Sequence, residues 1–242
     1  MTRTAAERPV RLVSLSHVND PAVTPIFPGD PEFVIAPAAT VAVDGYFLND
    51  VHQGEHTGTH WGAPGHFEPG GRLADDLDLD DLFRPAVVVD VREPAAADPD
   101  YAISVDDLLA AEHRHGRFPH EAAVLGWTGW SRRWGTPGYP NRDPAGVAHQ
   151  PGFSLEAAEW LLEQGVLGQR GALGTDTFGP DRGVDRHYPV STLLYHERRI
   201  SLENLTNLER LPPTGAWVLV GGPINRRGSG SPASIFGVLP AD

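Results

Sequence analysis

His56-Thr57-Gly58-Thr59-His60-Trp61-Gly62-Ala63-Pro64-Gly65-His66-Phe67 is the stretch on which the reading of this chain turns, with three histidines in eleven residues. A helical zinc box of the H-E-x-x-H kind is excluded, because Glu55 precedes His56 instead of following it. Gly58, Gly62, Pro64 and Gly65 also make a helix costly. The segment is expected to be extended and kinked. In a strand, residues i and i+4 share a face but stand about 13 Å apart. His56 and His60 therefore meet only if Gly58 supplies a bulge or bend. Pro64 and Gly65 must turn the chain to return His66 to the same cavity. The plain alternative is a glycine-rich loop with scattered surface histidines.

Outward from this stretch, strand and helix signals mix along one chain, which favours a single α/β or α+β domain. Val10–Ser16 alternates like a strand, and residues 1–10 read as an extended arm. Phe27-Pro28-Gly29-Asp30-Pro31 is a turn signal. Phe33–Ile35 and Thr40–Val43 read as strands around Pro37. Pro85–Val91 reads as a buried strand, and Ala123–Trp127, Ala172–Asp176, Trp217–Val220 and Ala233–Leu239 read as further strands. Ser104 and Ser154 cap helices that end near Gly116 and Gly165. Tyr188–Arg198 is expected to be helical. Trp127–Gly152 is a long loop of the kind often used for function.

Composition narrows the function. Of 242 residues, 40% are hydrophobic, and the 27 glycines bring the total to that of a packed globular chain. No apolar run reaches the length of a membrane span. Arg11 interrupts the only candidate signal-peptide core, so the cytoplasm is the expected location. With 19 basic and 32 acidic residues the net charge is −13, which repels phosphate backbones and disfavours nucleic acid. The absence of cysteine excludes disulfides, thiolate nucleophiles and cysteine-ligated metals. Chemistry is left to the eleven histidines and to carboxylates.

The histidine stretch resembles the signature H-x-G-T-H-x-D-x-P-x-H of the cyclase family, which includes bacterial kynurenine formamidases and isatin hydrolases. The match falls at His56, Gly58, Thr59, His60, Pro64 and His66. Five further segments are similar to family motifs, in the family's order: Phe27-Pro28-Gly29-Asp30, Thr128-Gly129-Trp130, Gly174-Thr175-Asp176-Thr177, Glu203-Asn204-Leu205-Thr206-Asn207-Leu208 and Gly230-Ser231-Pro232-Ala233. Together they span about residues 11–239, leaving 1–10 as the arm and 11–242 as the domain. The resemblance implies an α/β fold, a mixed sheet with a barrel-like core and flanking helices (a swivelling β/β/α arrangement). It also implies a homodimer or homotetramer in which the Pro-Gly-Asp loop can reach a neighbouring pocket.

It further implies a metal centre, and here the chain departs from the pattern. In metal-dependent relatives the first two histidines and the aspartate bind zinc or manganese. A histidine twelve residues before the E-N-L glutamate joins that glutamate at a second site, and the last signature histidine is the acid/base. His56, His60, His66 and Glu203 are present. The aspartate position holds Gly62 and the distant histidine position holds Ser191. A catalytic zinc normally takes three protein ligands. The expectation is therefore an enzyme without the two-metal centre and with no cofactor. His66, His60 and Glu203 would carry acid/base chemistry on a small organic substrate by ring closure, dehydration or a related step, as in specialised metabolism. The alternatives are an amide, lactam or ester hydrolase holding one zinc or manganese ion on His56 and His60, and a non-catalytic small-molecule binding protein.

Phe27, Trp61, Ser191 and Thr59 are the candidate substrate contacts, and Gly62 and Ser191 are expected to face one another across one cavity. Asp176 either orients a site histidine or caps a turn. Trp127, Trp130 and Trp134, with Arg132 and Arg133, either form an aromatic lid or are structural. His113, His115 and His120 are expected in solvent, as is the acidic run Asp75–Asp81, which lacks EF-hand spacing.

Overall fold

The structure, a computed structural model, describes residues 9–241. In chain order its elements are β1 (Val10–Ser14), β2 (Val34–Ala39), α1 (Val41–Asp44), β3 (Leu48–His52), β4 (His60–Gly62), β5 (Phe83–Asp90), α2 (Arg92–Ala97), β6 (Ala102–Ile103), α3 (Val105–His115), β7 (Ala123–Trp127), β8 (Gly152–Phe153), α4 (Leu155–Glu163), β9 (Ala172–Thr175), α5 (Pro189–Leu194), β10 (Ile200–Glu203), β11 (Trp217–Gly221), β12 (Gly230–Pro232) and β13 (Ser234–Pro240). Nine strands form one curled, half-barrel sheet in the order β1-β13-β11-β5-β7-β9-β10-β4-β12. The run β5-β7-β9-β10 is parallel and the rest antiparallel. The α/β mixed sheet expected from the sequence is therefore present.

The apolar run in β5 is continuous because both its faces are covered. Ala86 and Val88 join Ala123, Leu125 and Leu202 inside the curl. Val87 and Val89 point the other way, onto Leu108 of α3 and Leu161 of α4. The serine caps form as the sequence predicts: Ser104 Oγ accepts from Asp107 N, and Ser154 Oγ accepts from Ala157 N. Among the described residues no helix is long and apolar enough to cross a membrane.

Of the proposed arm 1–10, residues 1–8 lie outside the described residues, and Val10 pairs with Pro240 as the first residue of the expected strand. Two expectations are corrected. Thr40–Val43 is not a strand. The Asp44 carboxylate accepts from Thr40 N and Gly45 takes a left-handed φ of +80°, so the chain coils into α1 and returns as β3. β2 runs through Pro37 at the irregular register of this hairpin, where a missing N–H is tolerated. The helix expected over Tyr188–Arg198 is confined to α5, since the chain must straighten to enter β10.

Candidate active site

β4 and β10 pair antiparallel with His60 opposite Glu203, Trp61 opposite Leu202 and Gly62 opposite Ser201. Side chains alternate along a strand, so His60, Gly62, Ser201 and Glu203 share one face, and Trp61 and Leu202 share the other. This register makes His60 and Glu203 a cross-strand pair, with Nε2 3.3 Å from Oε2. It also sends Trp61 into the core, 2% exposed. Trp61 does not line the pocket, contrary to expectation. Thr59 is likewise buried: its Oγ1 donates to Asn204 O and accepts from His17 N, bracing the glutamate segment instead of touching a substrate.

The bend required at Gly58 is present, with φ +68°, and a Cβ there would lie 2.2 Å from Asn19 Oδ1. It brings the His56 and His60 rings to 4.9 Å between centroids, nearly perpendicular. A short 3-10 turn over Pro64–His66 returns His66 to stack on His56 at 3.9 Å. The three signature histidines and Glu203 all open onto one cavity of about 760 Å³. Phe27 lines it, as does Ser191. Phe67, Phe178 and Tyr188 add aromatic wall, Asp30 and Asp181 add carboxylates, and Arg142 and Arg186 stand in the lining with exposed side chains. The Phe27–Asp30 loop thus sits in the pocket of its own chain.

The charges follow from these contacts. His60 Nδ1 donates to Gly58 O. Burial works to lower the His60 value, but Glu203, with the Gly58 carbonyl and Asp30, outweighs it and the net shift is upward. Burial works to raise Glu203, and His60 with the Ser201 hydroxyl pulls it down. Each partner thus favours the charged form of the other. Ser229 Oγ donates to Glu55, so the His56 Nε2–H donates to Ser229 Oγ. Burial keeps His56 neutral, with its pKa lowered to about 3. His66 is also lowered by burial, and Asp30 is raised by burial.

This donor set does not fit the divalent ion of the metal-dependent relatives. Gly62 contributes no ligand, and a Cβ there would lie 2.2 Å from the Tyr195 hydroxyl. Among the described residues no three His, Cys, Asp or Glu side chains gather as a metal-holding group. Ser191 does line the cavity, with its hydroxyl donating to Asp181 at 2.5 Å. Gly62 lies beneath Tyr195 and outside the lining. The two positions do not face one another across the cavity.

Asp176 touches no histidine. It accepts from Thr128 N, Thr128 Oγ1 and Ser131 N, holding the Thr128-Gly129-Trp130 turn. The tryptophan lid is structural: Trp130 Nε1 donates to Tyr139 O, Trp134 stacks on His17, and Arg133 lies over Trp130. His113, His115 and His120 are exposed. The acidic run is not wholly solvated, because Asp81 is fully buried between Arg198 and Arg170. Sequence reasoning missed Asp30, Asp181, Ser201 and Tyr195. Ser201 was within reach, since strand period 2 places it beside Glu203. Asp30 stands inside a quoted motif. Tyr195 and Asp181 carry no local signal.

Comparison with known proteins places these residues among relatives. The sequence profile of the family described as "Putative cyclase" matches residues 13–182. An isatin hydrolase of Roseibium aggregatum is 34% identical over 194 residues, covering 77% of this chain and 73% of the relative. A kynurenine formamidase of Salinibacter ruber is 38% identical over 86 residues, 35% of this chain and 40% of that protein. A solved isatin hydrolase bound to the product analogue thioisatinate superposes with a TM-score of 0.87 at 28% identity, covering 96% of this chain and 94% of that one.

Proposed function

This chain belongs to the cyclase family and is a hydrolase-type enzyme of it, and from that premise we propose that it opens, or in reverse closes, a small ring held by an amide or ester, without a bound ion. The relatives that act on isatin and on kynurenine derivatives support the substrate class. So does a cavity whose walls, Phe27, Phe178, Phe67 and Tyr188, suit a flat aromatic body. The reading is carried by one observation, the His60–Glu203 pair with His66 beside the same cavity. His66 takes a proton from water as its oxygen bonds to the acyl carbon. The His60 Nε2–H, shared between Glu203 Oε2 and the cavity that both residues line, gives its proton to the departing nitrogen or oxygen as that bond breaks, while Nδ1–H stays on Gly58 O. His66 then loses a proton and His60 regains one, so the enzyme is unchanged. Ring closure is the same path reversed, with water as the leaving group.

The test is turnover of isatin after exhaustive chelation. Activity should persist, and Glu203→Gln or His66→Ala should each lower kcat about 100-fold or more. Loss on chelation with recovery in manganese or zinc would refute the ion-free mechanism. Full activity in both variants would refute His66 as the base and Glu203 as the group that holds the acid.

The same reading includes a homodimer or homotetramer. Its support is the β2–β3 hairpin, which joins no other strand among the described residues. The segment leaves Val41, Val43, Tyr46, Phe47, Leu48 and Val51 exposed. A two-stranded hairpin is marginal by itself in water, and a second copy would cover it.

A further inference from the structure

Resting on the ion-free reading above, we propose that the Tyr195 hydroxyl is a positioning group: it occupies the volume a side chain at position 62 would need and, through Ser201, fixes the carboxylate of Glu203. Tyr195 follows α5 directly, is buried, and packs its ring against Phe67. Its hydroxyl donates to Ser201 Oγ at 2.7 Å. Gly62 N donates to the same oxygen at 3.2 Å, and Ser201 Oγ donates to Glu203 Oε1 at 2.6 Å. A serine hydroxyl has two lone pairs and one proton. Both lone pairs are taken, by the phenol and by the Gly62 amide, so the proton has only Glu203 to go to. The other oxygen of Glu203 is held by His60. The carboxylate is thus gripped at both oxygens, and Tyr195 sets the direction of one grip without reaching the cavity.

Glycine at 62 is the other half of this arrangement. A Cβ there would stand 2.2 Å from the Tyr195 hydroxyl and 2.8 Å from Ser201 Oγ. Neither belongs to a long flexible side chain with room to retreat. A side chain at 62 and a tyrosine at 195 exclude one another, so restoring an aspartate at 62 alone cannot rebuild a metal ligand here.

Two mutant cycles test this. In the first, Tyr195→Phe keeps the ring and removes the hydroxyl. On isatin it should lower kcat about tenfold with KM within about twofold, and Ser201→Ala should do the same or more. The double variant should lose no more than Ser201→Ala alone, because Tyr195 acts through Ser201. Losses that multiply, or an unchanged kcat in Tyr195→Phe, overturn the proposal. The second cycle reads the urea midpoint and needs no substrate. Gly62→Ala should lower the midpoint in the natural background and lower it clearly less when combined with Tyr195→Phe. Equal losses in both backgrounds overturn the steric half. Manganese uptake by equilibrium dialysis adds a third readout: Gly62→Asp should take up no more than the natural protein, and Gly62→Asp/Tyr195→Leu should bind at least tenfold more tightly. Equal uptake by both variants counts against the proposal. Failure to turn over isatin would strike the proposed substrate, and manganese uptake by the natural protein the ion-free reading. The midpoint cycle would still decide the role of Tyr195.

Discussion

His17 gives the sharpest quantitative test of the packing around the site. Its ring lies flat on Trp134 at 4.0 Å, and its buried Nε2 has no hydrogen-bond partner. Burial lowers its pKa from 6.5 to about 4. Above pH 6.5 neither the folded nor the unfolded chain protonates this ring, and it leaves stability unchanged. Below 6.5 the unfolded chain takes a proton that the folded chain refuses until about pH 4, so stability falls across that window. By pH 5 the loss from this single ring is about 2 kcal/mol, a large share of the roughly 5–15 kcal/mol that holds a domain folded. His56 adds a loss of the same sign, while His60, raised, and Asp181, raised, work in the opposite direction. The difference between the natural protein and His17→Phe cancels those contributions, because phenylalanine keeps the flat stack and only removes the titrating ring. Urea unfolding at pH 7.5 and at pH 5 measures it. The variant should lose about 2 kcal/mol less than the natural protein on acidification. Parallel losses in the two proteins would refute the claim that His17 Nε2 is buried and unprotonated.

Two further outcomes follow from the same structure. Burial raises Asp181 to about 6 although Ser191 and two backbone amides donate to it. Its folded pKa lies above its unfolded one, so its ionisation costs stability as pH rises from about 4 to 6. Asp181→Asn should therefore gain roughly 1 kcal/mol on the natural protein between pH 5 and pH 8, read by urea unfolding; an unchanged difference would show that this carboxylate is not buried. At the β2–β3 hairpin, Val43→Asp with Phe47→Asp should shift the light-scattering mass of a homo-oligomer toward the monomer without loss of helical circular dichroism, and an unchanged mass would remove the hairpin from the interface.

The parts of this molecule that were legible in the sequence are those set by neighbours in the chain. The run Ala86–Val89 is apolar because it is covered on both faces, and Ser104 and Ser154 cap helices with bonds reaching three residues ahead. The histidine stretch was legible for the same reason: the left-handed turn at Gly58 and the turn at Pro64 are local, and together they gather three imidazoles. Local patterning also misled. Val41 and Val43 look like strand residues, yet the Asp44–Thr40 bond and the turn at Gly45 override that preference. Asp81 reads as one more exposed acid until Arg198, far along the chain, closes on it. Tyr195 and Asp181 could not be read at all, because their roles exist only once α5 is packed against β10.

Register is the step that converts this local information into a site. Side chains alternate along β4 and β10, so a slip of one residue between them would exchange the faces of every pair. His60 would then enter the core without a partner, where a buried charge or unpaired imidazole costs several kcal/mol, and Trp61 would be thrown into the cavity. Two fixed points prevent the slip. Asn204, at a left-handed φ of +55°, donates from Nδ2 to Gly58 O while its carbonyl accepts from Thr59 Oγ1. On the other edge Gly230 pairs with Gly62. The asparagine after Glu203 and the threonine before His60 therefore act at one remove from the chemistry: they hold the two strands in the single alignment that sets an imidazole against a carboxylate.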